Sequence, residues 1–216
     1  MSNSAQYAVT VKQGFGTVTT ADTSRTAPTV VSYIMPSGQL GTRVDHINLT
    51  AIGTTVASQV RLFLVPGWVG ATISSITFVG TTATVTTATN HGLTTGFKVT
   101  IQGALPFNYN INDVAITVTG LTTFTYTMTT TPTTNATTVG YFIYTTNTPT
   151  YQLWQEVPLT AVTPSSSVSV YTSNLATSTS PSFMPLWLPS GWSVRATVND
   201  TQTSSGVNIF MNGGDY

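Results

Sequence analysis

The chain has 216 residues, of which 40 % are hydrophobic and only 6 % charged, six basic against six acidic. With no basic stripe to neutralise phosphates, nucleic-acid binding is not expected, and a hydrophobic share this large is not that of a disordered chain. Cysteine is absent, so neither disulfides nor thiolate–metal sites are available, and cysteine usage leaves the compartment open.

Threonine is the commonest residue and valine is abundant; both are β-branched and suit a pleated, half-buried surface. No segment carries the i, i+3, i+4, i+7 apolar spacing of a helix. The N-terminal stretch to about Thr29 is poor in large apolar residues and reads as either an arm or an edge strand. Its "MSNSAQYAVTVKQG" has no basic region followed by an apolar run, so a Sec signal peptide is not expected. In "TRVDHINLTAIG", a predicted strand, Asp45 and His46 would face opposite sides unless a bulge intervenes. An Arg43–Asp45 pair on one solvent face is the blander alternative. "VRLFL" alternates Val60, Leu62 and Leu64 on one face, and "VPGWVG" then places Trp68 at a hairpin tip.

Composition changes from about Ala71 to Thr148. Lys98 and Asp113 are the only charged residues there, and more than half of all threonines fall in this block. Strands are predicted near Ile73–Phe78, Ala83–Ala88, Phe97–Gln102, Val114–Val118, Thr123–Thr129 and Gly140–Tyr144. "LPFNYNIN" puts Phe107 and Tyr109 in a predicted loop, with both side chains expected at the surface. His91, one of two histidines, lies in Asn90-His91-Gly92, a sequence suited to a turn. A histidine base needs a nucleophile, carboxylate or metal beside it, and none is near in sequence.

Beyond the block, "YQLWQEV" and "GWSVRATV" alternate as strands again. Between them "SFMPLWLPSGW" gathers Phe183, Met184, Leu186, Trp187 and Leu188 among prolines, too Pro-rich for a central strand. These side chains either cover an open sandwich end or form an intersubunit contact, where aromatics and Met are enriched. The apolar runs are short and broken, so none is expected to span a bilayer. The acidic residues are scattered, and no phosphate-cradling Gly loop is present. No catalytic, metal or cofactor site is predicted, and the chain is not expected to be an enzyme. A protein with so little charge is expected to bury surface in an assembly.

The fold class expected is all-β: a discontinuous, jelly-roll-like β-sandwich host domain of residues 1–70 and 149–216, with a small β-barrel or sandwich domain of 71–148 inserted at a hairpin tip. Insertion succeeds at such tips because the chain ends there are close.

The flanking stretches "SGQLGTRVDHINLTAIGTT", "VRLFLVPG", "YQLWQEVPLTAVTPSSSV", "LPSGWSVRATV" and "NGGDY" resemble a short all-β protein family of tailed-phage structural gene clusters. The block "ATVTTATNHGLTTGFKVTIQGA…FNYNINDVAITVTGLTTFTYTM" is similar to a small β module of phage virion proteins, with "YNI" in place of that module's usual "YNG". The resemblance implies a virion structural protein made in the host cytoplasm, with no catalytic residues to transfer. A capsid decoration (cement) protein contacting the major capsid protein or other virion proteins is the leading expectation. A homo-oligomer, a trimer by analogy alone, goes with it. The alternative is a tail or fibre module binding a host glycan. Trp68, Phe107, Tyr109, Phe183, Met184, Leu186 and Trp187 are the candidate contact residues; no nucleic acid, membrane or cofactor is expected.

Overall fold

The computed structural model describes residues 10–176, 186–203 and 206–216. Period-two patterning and β-branched side chains produce strands almost throughout. In chain order they are β1 (Thr10–Val18), β2 (Ser32–Pro36), β3 (Thr42–Ala51), β4 (Ser58–Val65), β5 (Trp68–Val69), β6 (Ile73–Val79), β7 (Thr82–Thr87), β8 (Lys98–Leu105), β9 (Ile111–Ala115), β10 (Thr117–Val118), β11 (Thr123–Thr127) and β12 (Thr138–Thr145). They continue with β13 (Gln152–Leu159), β14 (Thr172–Ala176), β15 (Leu186–Leu188), β16 (Ser193–Val198) and β17 (Val207–Asp215). The one helical piece among the described residues is a 3-10 turn, Phe107–Tyr109. No helix there is long and apolar enough to cross a membrane.

Two compact units form. The first comprises Met1–Pro66 and Thr150–Tyr216, the second Gly67–Pro149. The first unit is a sandwich. One sheet runs β1-β17-β3-β14 with β15 also paired to β3; the other runs β13-β4-β16-β2. Val44, Ile47, Leu49, Ile209 and Met211 of the first sheet pack against Val60, Leu62, Val194 and Ala196 of the second. Every ladder in this unit is antiparallel and joins a strand before Pro66 to one after Thr150. The described N-terminal stretch is an edge strand, since β1 pairs only with β17.

The second unit packs two four-stranded sheets, β10-β11-β7-β6 and β5-β12-β8-β9, around an aromatic-rich core. Phe124 and Phe142 meet edge to face at 5.4 Å, the arrangement ring quadrupoles favour. Alternating threonines stand outward on β7 and β11 while Ala83, Val85, Phe124 and Tyr126 fill the interior. Threonine here is strand-forming surface.

Candidate interaction surface

The two sheets of the first unit treat their outer faces differently. On the sheet β13-β4-β16-β2 that face is closed: Arg61, Phe63, Arg195 and Thr197 are all buried. Arg195 lies over the rings of Tyr33 and Tyr151, at 5.2 and 5.9 Å. Arg61 donates from Nε to Glu156, from Nη1 to the Asp22 carbonyl and from Nη2 to Asn199 Oδ1, at 2.8, 3.0 and 2.7 Å. A buried guanidinium is tolerable only when its donors are met in this way.

The carboxylates around Arg61 share that adaptation. Hydrogen bonds from Arg61 and Arg25 hold Glu156 below its ordinary value. Burial pushes Asp22 up, but the backbone N–H groups of Val30, Ser24 and Thr29 outweigh it, and the net shift is downward. Asn199 and Ser58 lower Asp200. Sequence reasoning missed this cluster. Arg61 sits at an ordinary alternating position of "VRLFL", and its partners lie far along the chain.

The sheet β1-β17-β3-β14 keeps its outer face open. Phe15 pairs with Phe210, which pairs with Asn48, which pairs with Asn174. Phe15 is 60 % and Phe210 38 % exposed. Beside this row runs one of Thr17, Asn208, Thr50 and Thr172. The face is thus two phenylalanines set among amides and hydroxyls.

Toward the other end of the face the ladder is irregular. His46 pairs with Asn212 and Val44 with Gly213, which leaves Asp45 as the extra residue of a bulge. The apolar spacing records it, since Val44 and Ile47 are both buried, three positions apart. A bulge of this kind re-aims side chains. Asp45 and His46 therefore line one depression with Val11, Arg43, Asn212 and Gly213. A Cβ at Gly213 would run into the Arg43 carbonyl oxygen, so glycine is what lets the two backbones approach.

The predicted Arg43–Asp45 pair is present. Nη2 donates to Oδ2 at 3.2 Å, and Nε approaches Oδ1 to 2.8 Å outside hydrogen-bond geometry. Asp45 raises the Arg43 pKa further, with Tyr216 adding to it. Trp187 pairs across the ladder with Arg43, is 59 % exposed, and stacks on Tyr216 at 5.2 Å and 17°.

The other predicted contact residues scatter. Trp68 is half-exposed and leans on Tyr144. Phe107 is 79 % exposed. Tyr109, expected at the surface with it, is fully buried: the 3-10 turn reverses the side-chain direction within two residues. Its hydroxyl donates to the Thr134 carbonyl, and its own carbonyl accepts from Tyr126. Leu186 packs against the first unit's core. Phe183 and Met184 lie outside the described residues.

His91 is buried. The Leu93 N–H donates to Nδ1 at 3.0 Å, so the ring proton sits on Nε2 and goes to the Gly120 carbonyl at 3.1 Å. The ring meets Phe124 edge-on at 5.6 Å. The histidine clasps the β7–β8 connection to the β10–β11 turn. Among the described residues no three His, Asp or Glu side chains are grouped to hold a metal. Comparison with protein-family models, curated proteins and solved structures returned no match.

Proposed function

We propose that this chain is a phage virion structural protein, a capsid decoration protein that adheres through the open sheet face of its first unit. One observation carries the reading: that face presents Phe15 and Phe210 in a field of uncharged Asn and Thr. Interface centres are depleted in charge and enriched in aromatics, and an unpartnered face of this kind on a charge-poor protein favours burial against a partner. The second unit, leaving and rejoining the chain of the first between β4 and β13, is read as an insertion in it. Adhesion of this sort stabilises the assembled shell by mass action, because only the assembled state offers the site.

Co-sedimentation with empty particles of the phage that encodes the chain tests the reading. Native protein pellets with the particles, and Phe15→Asp with Phe210→Asp weakens capture at least tenfold while the circular dichroism spectrum is kept. Unchanged capture by the double variant, or electron density for the chain confined to the tail, overturns it.

A further inference from the structure

The Trp187 end of the open face has a chemistry of its own. An exposed indole is held flat by its stack on Tyr216, which makes a rigid apolar platform that loses little freedom on binding. The cross-strand pairing of Trp187 with Arg43 sets a row of planar polar groups beside that platform. The bulge turns Asp45 and His46 into the same depression as Asn212. Its volume is ≈ 350 Å³, at the small end of the roughly 300–1,000 Å³ of ligand sites. Neither His46 nor Asn212 spends its side chain on a hydrogen bond to another described residue. Arg43 is already matched by Asp45 at 2.8 Å, so the site offers directional hydrogen bonds without a spare charge.

A ligand suited to this arrangement has one flat apolar side, a rim of hydroxyls and no ionic group. We propose that this end of the first unit binds a neutral saccharide: one pyranose ring lies on Trp187 beside Tyr216, and its hydroxyls bond to Arg43, Asp45, His46 and Asn212. Asp45 accepts, Arg43 donates, and Asn212 and His46 do both, which matches a hydroxyl's paired donor and acceptor. An acidic sugar would bring a charge that Asp45 opposes and that no free cation at the site answers. The inference is independent of the capsid reading. The Phe15–Phe210 row lies four residues along β1 from Val11, roughly 13 Å at strand rise.

Saturation-transfer NMR and calorimetry on the full chain test it. The probes are the methyl glycosides of glucose, galactose, mannose and N-acetylglucosamine, together with glucuronic acid and N-acetylneuraminic acid. At least one neutral glycoside is expected to bind with a dissociation constant between about 10 μM and 10 mM, the range of a single-ring contact. Trp187→Ala should weaken it at least tenfold, and His46→Ala or Asn212→Ala about three- to tenfold. Phe107→Ala, in the second unit, should leave it unchanged. If Trp187→Ala fails to fold, the His46 and Asn212 variants carry the test, because those side chains bond to no other described residue. Silence from every neutral glycoside at 50 mM (about fivefold above the weakest expected constant), native affinity in all three variants, or tighter binding of either acidic sugar overturns the proposal.

Discussion

The two units solve the same problem, satisfying the polar groups that β-sheet packing buries, with different chemistry. The first uses charge over long sequence separations. Arg61 ties β4 to Glu156, Asn199 and the Asp22 loop, and the ion pairs Lys12–Asp215, Arg25–Glu156 and Arg61–Glu156 span distant segments there, beside the local Arg43–Asp45 pair. The second uses neutral donors within its own span: the His91 ring, the Tyr109 and Tyr126 hydroxyls and the threonine hydroxyls. Its one ion pair, Lys98–Asp113 at 3.4 Å, is long and half-exposed. The core fillings differ in parallel: the buried cluster of the first unit is aliphatic with two methionines, whereas that of the second adds four aromatics, Tyr109, Phe124, Tyr126 and Phe142, to its aliphatic side chains. A charge-poor chain thus places most of its charges in the first unit, where several of them join distant segments.

The strongest test of that contrast is Arg61→Ala. Removing the guanidinium leaves Glu156 without its main partner and the Asn199 and Asp22 acceptors unmet; the expected loss is about 3 kcal/mol. Hydrogen exchange should show it in amides of the first unit alone, and a uniform loss across both units would break the comparison. The counterpart in the second unit is His91→Ala. It strands the Leu93 N–H, leaves the Gly120 carbonyl only the long Thr123 N–H bond at 3.4 Å, and removes the ring against Phe124, at a cost of roughly 1–3 kcal/mol. Since the histidine is a clasp, this variant should match the native chain in the co-sedimentation and glycoside tests once folded.

Acid and alkali separate the units more gently. Asp22, Glu156 and Asp200 all sit below their ordinary values. A depressed carboxylate contributes stability that is complete above its unfolded pKa, about 4, and is lost as pH falls through the folded value. Burial raises Tyr109 and Tyr126. A raised phenol contributes stability that is complete below its unfolded pKa, about 10, and is lost as pH climbs above it. Hydrogen exchange as a function of pH should therefore find the first unit failing first in acid and the second in alkali. The reverse order would contradict the assignment.

The smallest expected effect concerns Asp113, which holds a positive φ of 55° in β9. A left-handed backbone costs a side-chain-bearing residue about 1–2 kcal/mol. Asp113→Gly relieves it and gives up the partly exposed ion pair with Lys98. A net gain of up to about 1 kcal/mol in the second unit is expected by chemical denaturation.

Much of the strand order was legible in the sequence. The segments predicted between Ile73 and Tyr144 fall on β6 to β12 within a few residues, because Gly, Asn and Pro mark their turns, except that the single segment Val114–Val118 is divided between β9 and β10, which belong to different sheets. The turn chemistry of Asn90-His91-Gly92 was legible too, since Asn90 caps the Gly92 N–H and Gly92 takes φ 65°, but the hairpin expected around it does not form: β7 and β8 belong to different sheets. That His91 is also a clasp was not, because its partners at Gly120 and Thr123 are distant. Tyr109 went astray because a single 3-10 turn breaks the alternation that locates buried side chains. The bulge at Asp45 left a trace, the three-residue step from Val44 to Ile47, that two-residue counting passes over. Arg61 left none, since burial of a charge depends on partners that only the fold assembles.

The ladders of the first unit all join a strand before Pro66 to one after Thr150. On the ribosome, β1 to β4 emerge with none of their sheet neighbours yet made, while the second unit, whose ladders are all internal, can close as soon as it is out. Its collapse draws Pro66 and Thr150 together and shortens the loop that the first unit must later close. Until then the N-terminal strands expose unpaired edges, the hazard most open to aggregation or to pairing with a second chain. The second unit is in this sense an assembly aid for the sandwich it interrupts, and the edges stay open until β13 to β17 have followed it out and paired.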